Sequence, residues 1–231
     1  MCGETVVSKC GPIRPWHWSH KAKTNCDTWW ENETPWHKEW KSNYPEIWQE
    51  VVHHDKTTGE KHIADVKTDK GLVIEFQNSP LSNDELQARE EFYKNIIWVI
   101  NGTKFIKNFY IFHKLPPPDA AEFNDIVFNY PSRNHSIETF YRKSENPPNP
   151  TMVLIHVIQE LEHQIDQYYQ GHHFYEWVKP RRVWFNSKKL VYIDFGGDIL
   201  WSFQKYGVND LPCVQGVCKK YFIDSTKNAG S

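Results

Sequence analysis

The chain has 231 residues, with 27 Lys and Arg against 29 Asp and Glu, and its formal charge of −2 excludes a protein that coats polyanions through bulk basicity. Local contacts to phosphate stay open, because nucleic-acid affinity depends on how Lys and Arg cluster. The 11 Trp, 11 Tyr and 13 Phe can fill a core, stack on bases or line a carbohydrate site, so composition does not choose among these roles.

No apolar run approaches the roughly 20 residues needed to span a bilayer, and residues 1–14 carry no apolar signal segment. Five cysteines, odd in number and sparsely spread, do not make a disulfide framework. The expectation is a cytoplasmic protein in a reduced setting, with no membrane contact. The sequons at Asn32, Asn101 and Asn134 carry no meaning there.

In chain order, residues 1–31 read as an irregular arm rich in Cys, His and Trp. A helix is expected from about 32 to 43, with Asn32 as its cap, Pro35 in its first turn and Tyr44-Pro45 ending it. Strands are expected at 62–67 and 72–77. Ser82-Asn83-Asp84-Glu85 resembles a capping box that opens a helix running to about 95. Residues 96–100 and 109–112 read as buried strands with a turn at Asn101-Gly102 between them. The runs 115–118 and 146–150 are proline breaks. Val153, Ile155, Ile158, Leu161, Ile165 and Tyr168 give 151–170 a helical period. Residues 183–185 and 190–195 read as a hairpin across Asn186-Ser187, 200–203 and 220–223 as further strands, and His172-His173 as a polar loop. Elements of both kinds make this an α/β chain, divided into the arm (1–31), a core (32–115), and a C-terminal extension of the same domain or small lobe (116–231).

The most informative stretch is His62-Ile63-Ala64-Asp65-Val66-Lys67, followed by Leu72-Val73-Ile74-Glu75-Phe76-Gln77. A three-residue turn, Asp69-Lys70-Gly71, with Gly71 left-handed, puts Asp65 opposite Glu75 and Ile63 opposite Gln77. Alternation then gathers Asp65, Glu75 and Gln77 on one face and Ala64, Val66, Leu72, Ile74 and Phe76 on the other. Opposed carboxylates lie roughly 5 Å apart at Cβ and repel. A divalent cation turns that repulsion into attraction, and Mg²⁺ takes one or two carboxylates plus waters and substrate phosphate. The bland alternative is a solvated polar face with Lys67 relieving the charge.

Neighbouring helices add candidates. Glu33, His37 and Lys41 recur every four residues as one polar stripe, while Trp36 and Trp40 form the apolar stripe expected to face the core. Arg89 and Tyr93, also four apart, can reach the same place; otherwise they are a surface pair beside a buried Phe92.

The ordered series His17-Trp18-Ser19-His20, Glu33-Thr34-Pro35-Trp36-His37-Lys38-Glu39-Trp40-Lys41, His62-Ile63-Ala64-Asp65-Val66, Ile74-Glu75-Phe76-Gln77-Asn78-Ser79 and Arg89-Glu90-Glu91-Phe92-Tyr93 resembles the competence protein CoiA-like family, a branch of the PD-(D/E)XK nuclease superfamily. The resemblance covers residues 16 to about 100. It implies a restriction-endonuclease-like mixed sheet flanked by helices, with the active site at one sheet edge. It further implies Mg²⁺ or Mn²⁺ on Asp65 and Glu75, with the Phe76 carbonyl as third ligand, and hydrolysis of DNA to a 3′-hydroxyl and a 5′-phosphate. The biological setting it implies is foreign-DNA processing, recombination or defence. Gln77 stands where most of the superfamily has lysine, so the missing cation must come from Lys41, His37 or Arg89, while Glu33 matches the first-helix acid. Substrate contacts fall to Lys41, Arg89, Tyr93 and His20. Two alternatives stand beside this reading: a non-cleaving DNA-processing accessory factor that keeps the fold, and an aromatic-rich interaction module whose carboxylates face solvent.

Cys10, His17, His20 and Cys26, with Cys2 as a substitute, are spaced to allow a tetrahedral Zn²⁺ site; the alternative is an arm packed by its tryptophans. Cys213 and Cys218 read as free thiols. The sequence sets no oligomeric state.

Overall fold

The computed structural model describes residues 5–10, 17–20, 29, 32–54, 59, 61–134, 137–146, 148 and 151–228. In chain order its elements are β1 (Val6–Lys9), β2 (His17–His20), α1 (Pro35–Lys41), β3 (Gln49–His54), β4 (Lys61–Lys67), β5 (Val73–Gln77), α2 (Asn83–Tyr93), β6 (Ile96–Asn101), β7 (Phe109–Leu115), β8 (Ile126–Phe128) and β9 (Thr139–Arg142). They continue with β10 (His156–Val157), α3 (Glu162–Tyr168), β11 (His172–Trp177), β12 (Val191–Asp194), β13 (Ile199–Tyr206), β14 (Leu211–Cys218) and α4 (Lys219–Asn228).

The molecule is an α/β protein built on a nine-stranded sheet of order β3-β4-β5-β6-β12-β13-β14-β11-β7, with a three-stranded sheet β10-β9-β8 and a separate pair β1-β2. The large sheet is mixed: β5–β6 and β6–β12 are parallel, and every other pairing is antiparallel. On one side Val66, Ile74, Phe76, Val99 and Leu200 pack with Trp40 of α1 and Phe222 of α4. On the other, Val73, Trp98, Ile100, Val191 and Ile193 pack with Leu86 and Tyr93 of α2 and with Trp184. A third cluster (Leu115, Phe140, Leu161, Ile165, Phe174, Tyr206) joins the three-stranded sheet to the far end of the large one. Among the described residues no helix is long and apolar enough to cross a membrane.

The β4–β5 hairpin forms as its sequence dictates. Gly71 is left-handed (φ 81°), and the turn is closed by Thr68, whose N–H reaches the Leu72 carbonyl at 2.9 Å. Pairs Val66↔Ile74 and Lys67↔Val73 extend to the register that sets Asp65 opposite Glu75. All five apolar-face residues are buried, although Ala64 packs within the α2-side cluster. Ser82 caps α2 by accepting the Glu85 N–H.

Several expectations are corrected. The cap of α1 is Thr34, not Asn32, because Pro35 occupies the first helical position and the cap must precede it. The arm is not wholly irregular, since β1 and β2 pair antiparallel. Strands β6 and β7 are not neighbours; β12, β13, β14 and β11 lie between them. Only residues 162–168 of the expected helix at 151–170 are α-helical, because 156–157 pair with β9. Residues 182–186 form a 3₁₀ turn rather than a hairpin strand, and β12 pairs instead with β13 and β6. Residues 220–223 lie in α4, and His172-His173 opens the strand β11.

Candidate functional site

The β4–β5 ladder stops at Val66–Ile74, and past that point side chains replace backbone. Asp65 Oδ2 accepts the Phe76 N–H at 2.8 Å, and Glu75 Oε1 accepts the Asp65 N–H at 3.3 Å. The two carboxylates thus fill the gap where the strands part. That gap opens into a pocket of about 130 Å³, lined from the hairpin by Ile63, Asp65, Glu75, Phe76 and Gln77. Helix α1 contributes His37 and Lys41 to its wall, Glu33 lies just before the α1 cap, α2 contributes Arg89 and Tyr93, and Trp29 and Glu50 complete it.

Most of the carboxylate charge is answered by the protein. Arg89 is 4 % exposed and donates from Nη1 to Glu75 Oε2 at 3.1 Å, and from Nη2 to Glu85 Oε1 at 2.5 Å and to the Trp29 carbonyl at 2.9 Å. Burial holds the half-buried Asp65 carboxyl above the ordinary carboxylate range; the Phe76 N–H and the charges of Lys41 and Arg89 pull the other way without cancelling it. Glu75 and Gln77 are buried as well.

His37 closes a capping box on α1. Its Nδ1 faces the Thr34 N–H at 3.1 Å, and its Nε2 lies 2.7 Å from the Phe76 carbonyl. An N–H pointing at Nδ1 requires a lone pair there, so the proton sits on Nε2 and is donated to Phe76. In this arrangement His37 is a strut between α1 and β5. Lys41 brings a positive charge to the same wall of the pocket. It is 5 % exposed and its Nζ is held by Glu33 and, at 2.8 Å, by Glu50. Burial would lower its pKa, but the hydrogen bonds it donates to Glu33 and Glu50 outweigh this and raise it, so Lys41 is a fixed cation. The Lys41 bond in turn lowers the Glu33 carboxyl.

The donor set suits a hard cation. Asp65 Oδ1 has no hydrogen-bond partner among the described residues, the Phe76 carbonyl keeps its second lone pair, and Glu75 stands beside them in shared possession with Arg89. All three are oxygens, which favours Mg²⁺ or Mn²⁺ over zinc. Among the described residues no group of three or more His, Cys, Asp and Glu side chains is placed to hold a metal ion.

Gln77 donates from Nε2 to the Ser79 carbonyl at 3.3 Å and to Ser79 Oγ at 3.1 Å. The readings of Arg89 and Tyr93 as a surface pair and of Phe92 as buried are reversed, since the first two are buried and Phe92 is half-buried. Trp36, expected in the core, is half-buried, and Trp40 is fully buried. For the zinc reading, Cys26, Cys2 and the side chains of His17 and His20 lie outside the described residues, and Cys10 is exposed. Cys213 and Cys218 are free, the first buried and the second exposed.

Glu50 was invisible to the sequence. It sits in β3 with φ 50°, a backbone that non-glycine residues adopt rarely, and its carboxylate clamps Lys41. Nothing in its spacing marks it, because the pairing that delivers it depends on β3 lying beside β4. Comparison with known proteins finds no family model, no curated protein and no solved structure that matches this chain.

Proposed function

We propose that the chain is a divalent-metal-dependent nuclease that hydrolyses DNA phosphodiester bonds, on a restriction-endonuclease-like core of the CoiA-like kind. One observation supports this most. Residues from three stretches of the sequence, Glu33, His37 and Lys41, then Asp65, Glu75 and Gln77, then Arg89 and Tyr93, line one small pocket. Asp65, Glu75 and the Phe76 carbonyl would hold the ion. When bound, Mg²⁺ or Mn²⁺ lowers the pKa of a water and neutralises charge building on the scissile phosphate. The chain's own residues supply the rest. Lys41, kept charged by Glu33 and Glu50, faces the incoming phosphate in place of the superfamily lysine. Gln77 orients the attacking water through its amide. His37 fixes the Phe76 carbonyl, and Arg89 makes the Glu75 carboxylate tolerable before any ion arrives.

The test is a cleavage assay with Mn²⁺ on single- and double-stranded DNA, beside a calorimetric titration of Mn²⁺. Cleavage by the parent, lost in Asp65→Asn and in Glu75→Gln with the circular dichroism unchanged, is the expected result. Equal cleavage by both variants would remove the catalytic assignment. A second reading has its own support: the Arg89–Glu75 ion pair already neutralises one carboxylate, and Gln77 lacks a cation's charge. A non-cleaving DNA-processing factor of this fold would bind Mn²⁺ without cutting DNA of either form.

A further inference from the structure

Asp194 ends β12, far from the hairpin in sequence, and is 1 % exposed. A carboxylate buried that deeply must be hydrogen-bonded or paired. Its Oδ1 accepts the Gly196 N–H at 2.8 Å. Its Oδ2 accepts two indole N–H groups, from Trp36 at 2.9 Å and Trp40 at 2.7 Å, and lies 3.5 Å from Lys219 Nζ. The Asp194 carbonyl is also tied, accepting the Gly102 N–H at 2.8 Å. Lys219 in addition sits 4.3 Å from the Trp40 ring, so α4 reinforces the same joint.

Trp36 and Trp40 are four residues apart, so they share one face of α1. His37 and Lys41 each follow by one residue, about 100° further round the helix. Two indoles hooked on one carboxylate therefore fix the rotation of α1 about its axis. That rotation decides whether His37 meets the Phe76 carbonyl and whether Lys41 meets Glu33 and Glu50 at the pocket. We infer that Asp194 is a positioning residue for the pocket: by holding both tryptophans of α1 it sets His37 and Lys41 against the hairpin. Its effect on cleavage rests on the nuclease reading, whereas its effect on the geometry of His37 does not.

The experiment compares full-length Asp194→Asn with Trp36→Phe and with Ile165→Ala. In Asp194→Asn an amide NH₂ faces an N–H donor whichever way it is turned. Trp36→Phe is milder, removing a single hook at a half-buried site. Ile165→Ala opens a cavity in the separate cluster at the far end of the sheet, as a matched loss of stability. The readouts are the imidazole NMR resonances of His37 and the cleavage constants. Asp194→Asn and Trp36→Phe are expected to move the His37 resonances and to lower kcat by about 10- to 100-fold with little change in KM, the scale of a small misplacement in an active site. Ile165→Ala is expected to do neither. His37 resonances at parental positions in both of the first two variants would overturn the inference. If the parent cleaves no DNA the nuclease reading falls, and the His37 resonances decide the positioning role by themselves.

Discussion

Asp65 carries the site's cost in stability. Its carboxyl is held above the ordinary range by burial, so the folded chain takes up a proton at a higher pH than the unfolded chain does. For a carboxyl shifted upward, stability is lost as pH rises from the unfolded value, about 3.9, through the folded one, and the deficit then stays constant. Asp65→Asn removes that ionisation and keeps an oxygen for the Phe76 N–H. It is expected to raise the melting temperature at pH 7, with the gain shrinking toward zero below about pH 4. Thermal unfolding of both proteins across that range checks it, and a variant less stable than the parent at pH 7 would show that the carboxylate is well accommodated. At this scale the sequence was a good guide. The period of the hairpin sufficed to set Asp65 beside Glu75, because alternation and the Gly71 turn are local. Glu50 and Asp194 were not legible, since each reaches α1 from a strand whose place in the sheet no local pattern reveals.

Helix α1 spans only Pro35–Lys41, too short to persist without help. Its N-terminus is held by the Thr34 hydroxyl, which accepts the His37 N–H, and by the His37 ring, which accepts the Thr34 N–H. Thr34→Ala is expected to cost about 1 kcal/mol. For a chain of this length that lowers the melting temperature by about 2–4 °C. Thr34→Ser, which keeps the hydroxyl, should recover most of the loss; equal melting of Thr34→Ala and the parent would mean the hydroxyl contributes nothing to the cap. The elements misread from sequence failed for reasons of the same kind. At 151–170 the apolar period is real, and Ile158, Leu161 and Ile165 are buried. Asn146, however, takes both backbone groups of Leu154, and His156 pairs with Phe140, so the first part is held extended by partners distant in sequence. In α4 the apolar Phe222 is followed at helical spacing by Thr226, whose hydroxyl bonds the Phe222 carbonyl and the Tyr44 hydroxyl. A polar residue at the second buried position hid the helical period.

The order of the large sheet sets what can be separated from what. Strands β4 and β5 carry the pocket, with Glu50 from β3, but β5 pairs with β6, which is flanked by β12, and among the described residues β7 pairs only with β11. The sequence suggested a core at 32–115 followed by an extension, because the motifs that carry the resemblance all lie before residue 100. In the folded chain the later strands β12, β13, β14 and β11 stand between β6 and β7, and Trp98, Val99 and Ile100 are buried against elements that include them. A fragment of residues 32–118 keeps the motifs from Glu33 to Tyr93 yet loses the partner of β7, the outer partner of β6, and the Asp194 anchor of α1. It would expose the apolar faces of β6 and leave unpaired strand edges, which favour aggregation over folding. The expected outcome is that this fragment shows no cooperative unfolding transition and aggregates, while the full chain unfolds cooperatively and retains the pocket. Denaturant titration followed by tryptophan fluorescence reads the difference. A sharp, reversible transition in the fragment, with Mn²⁺ uptake matching the full chain, would show that the motif-bearing half folds by itself and that the later strands serve another purpose.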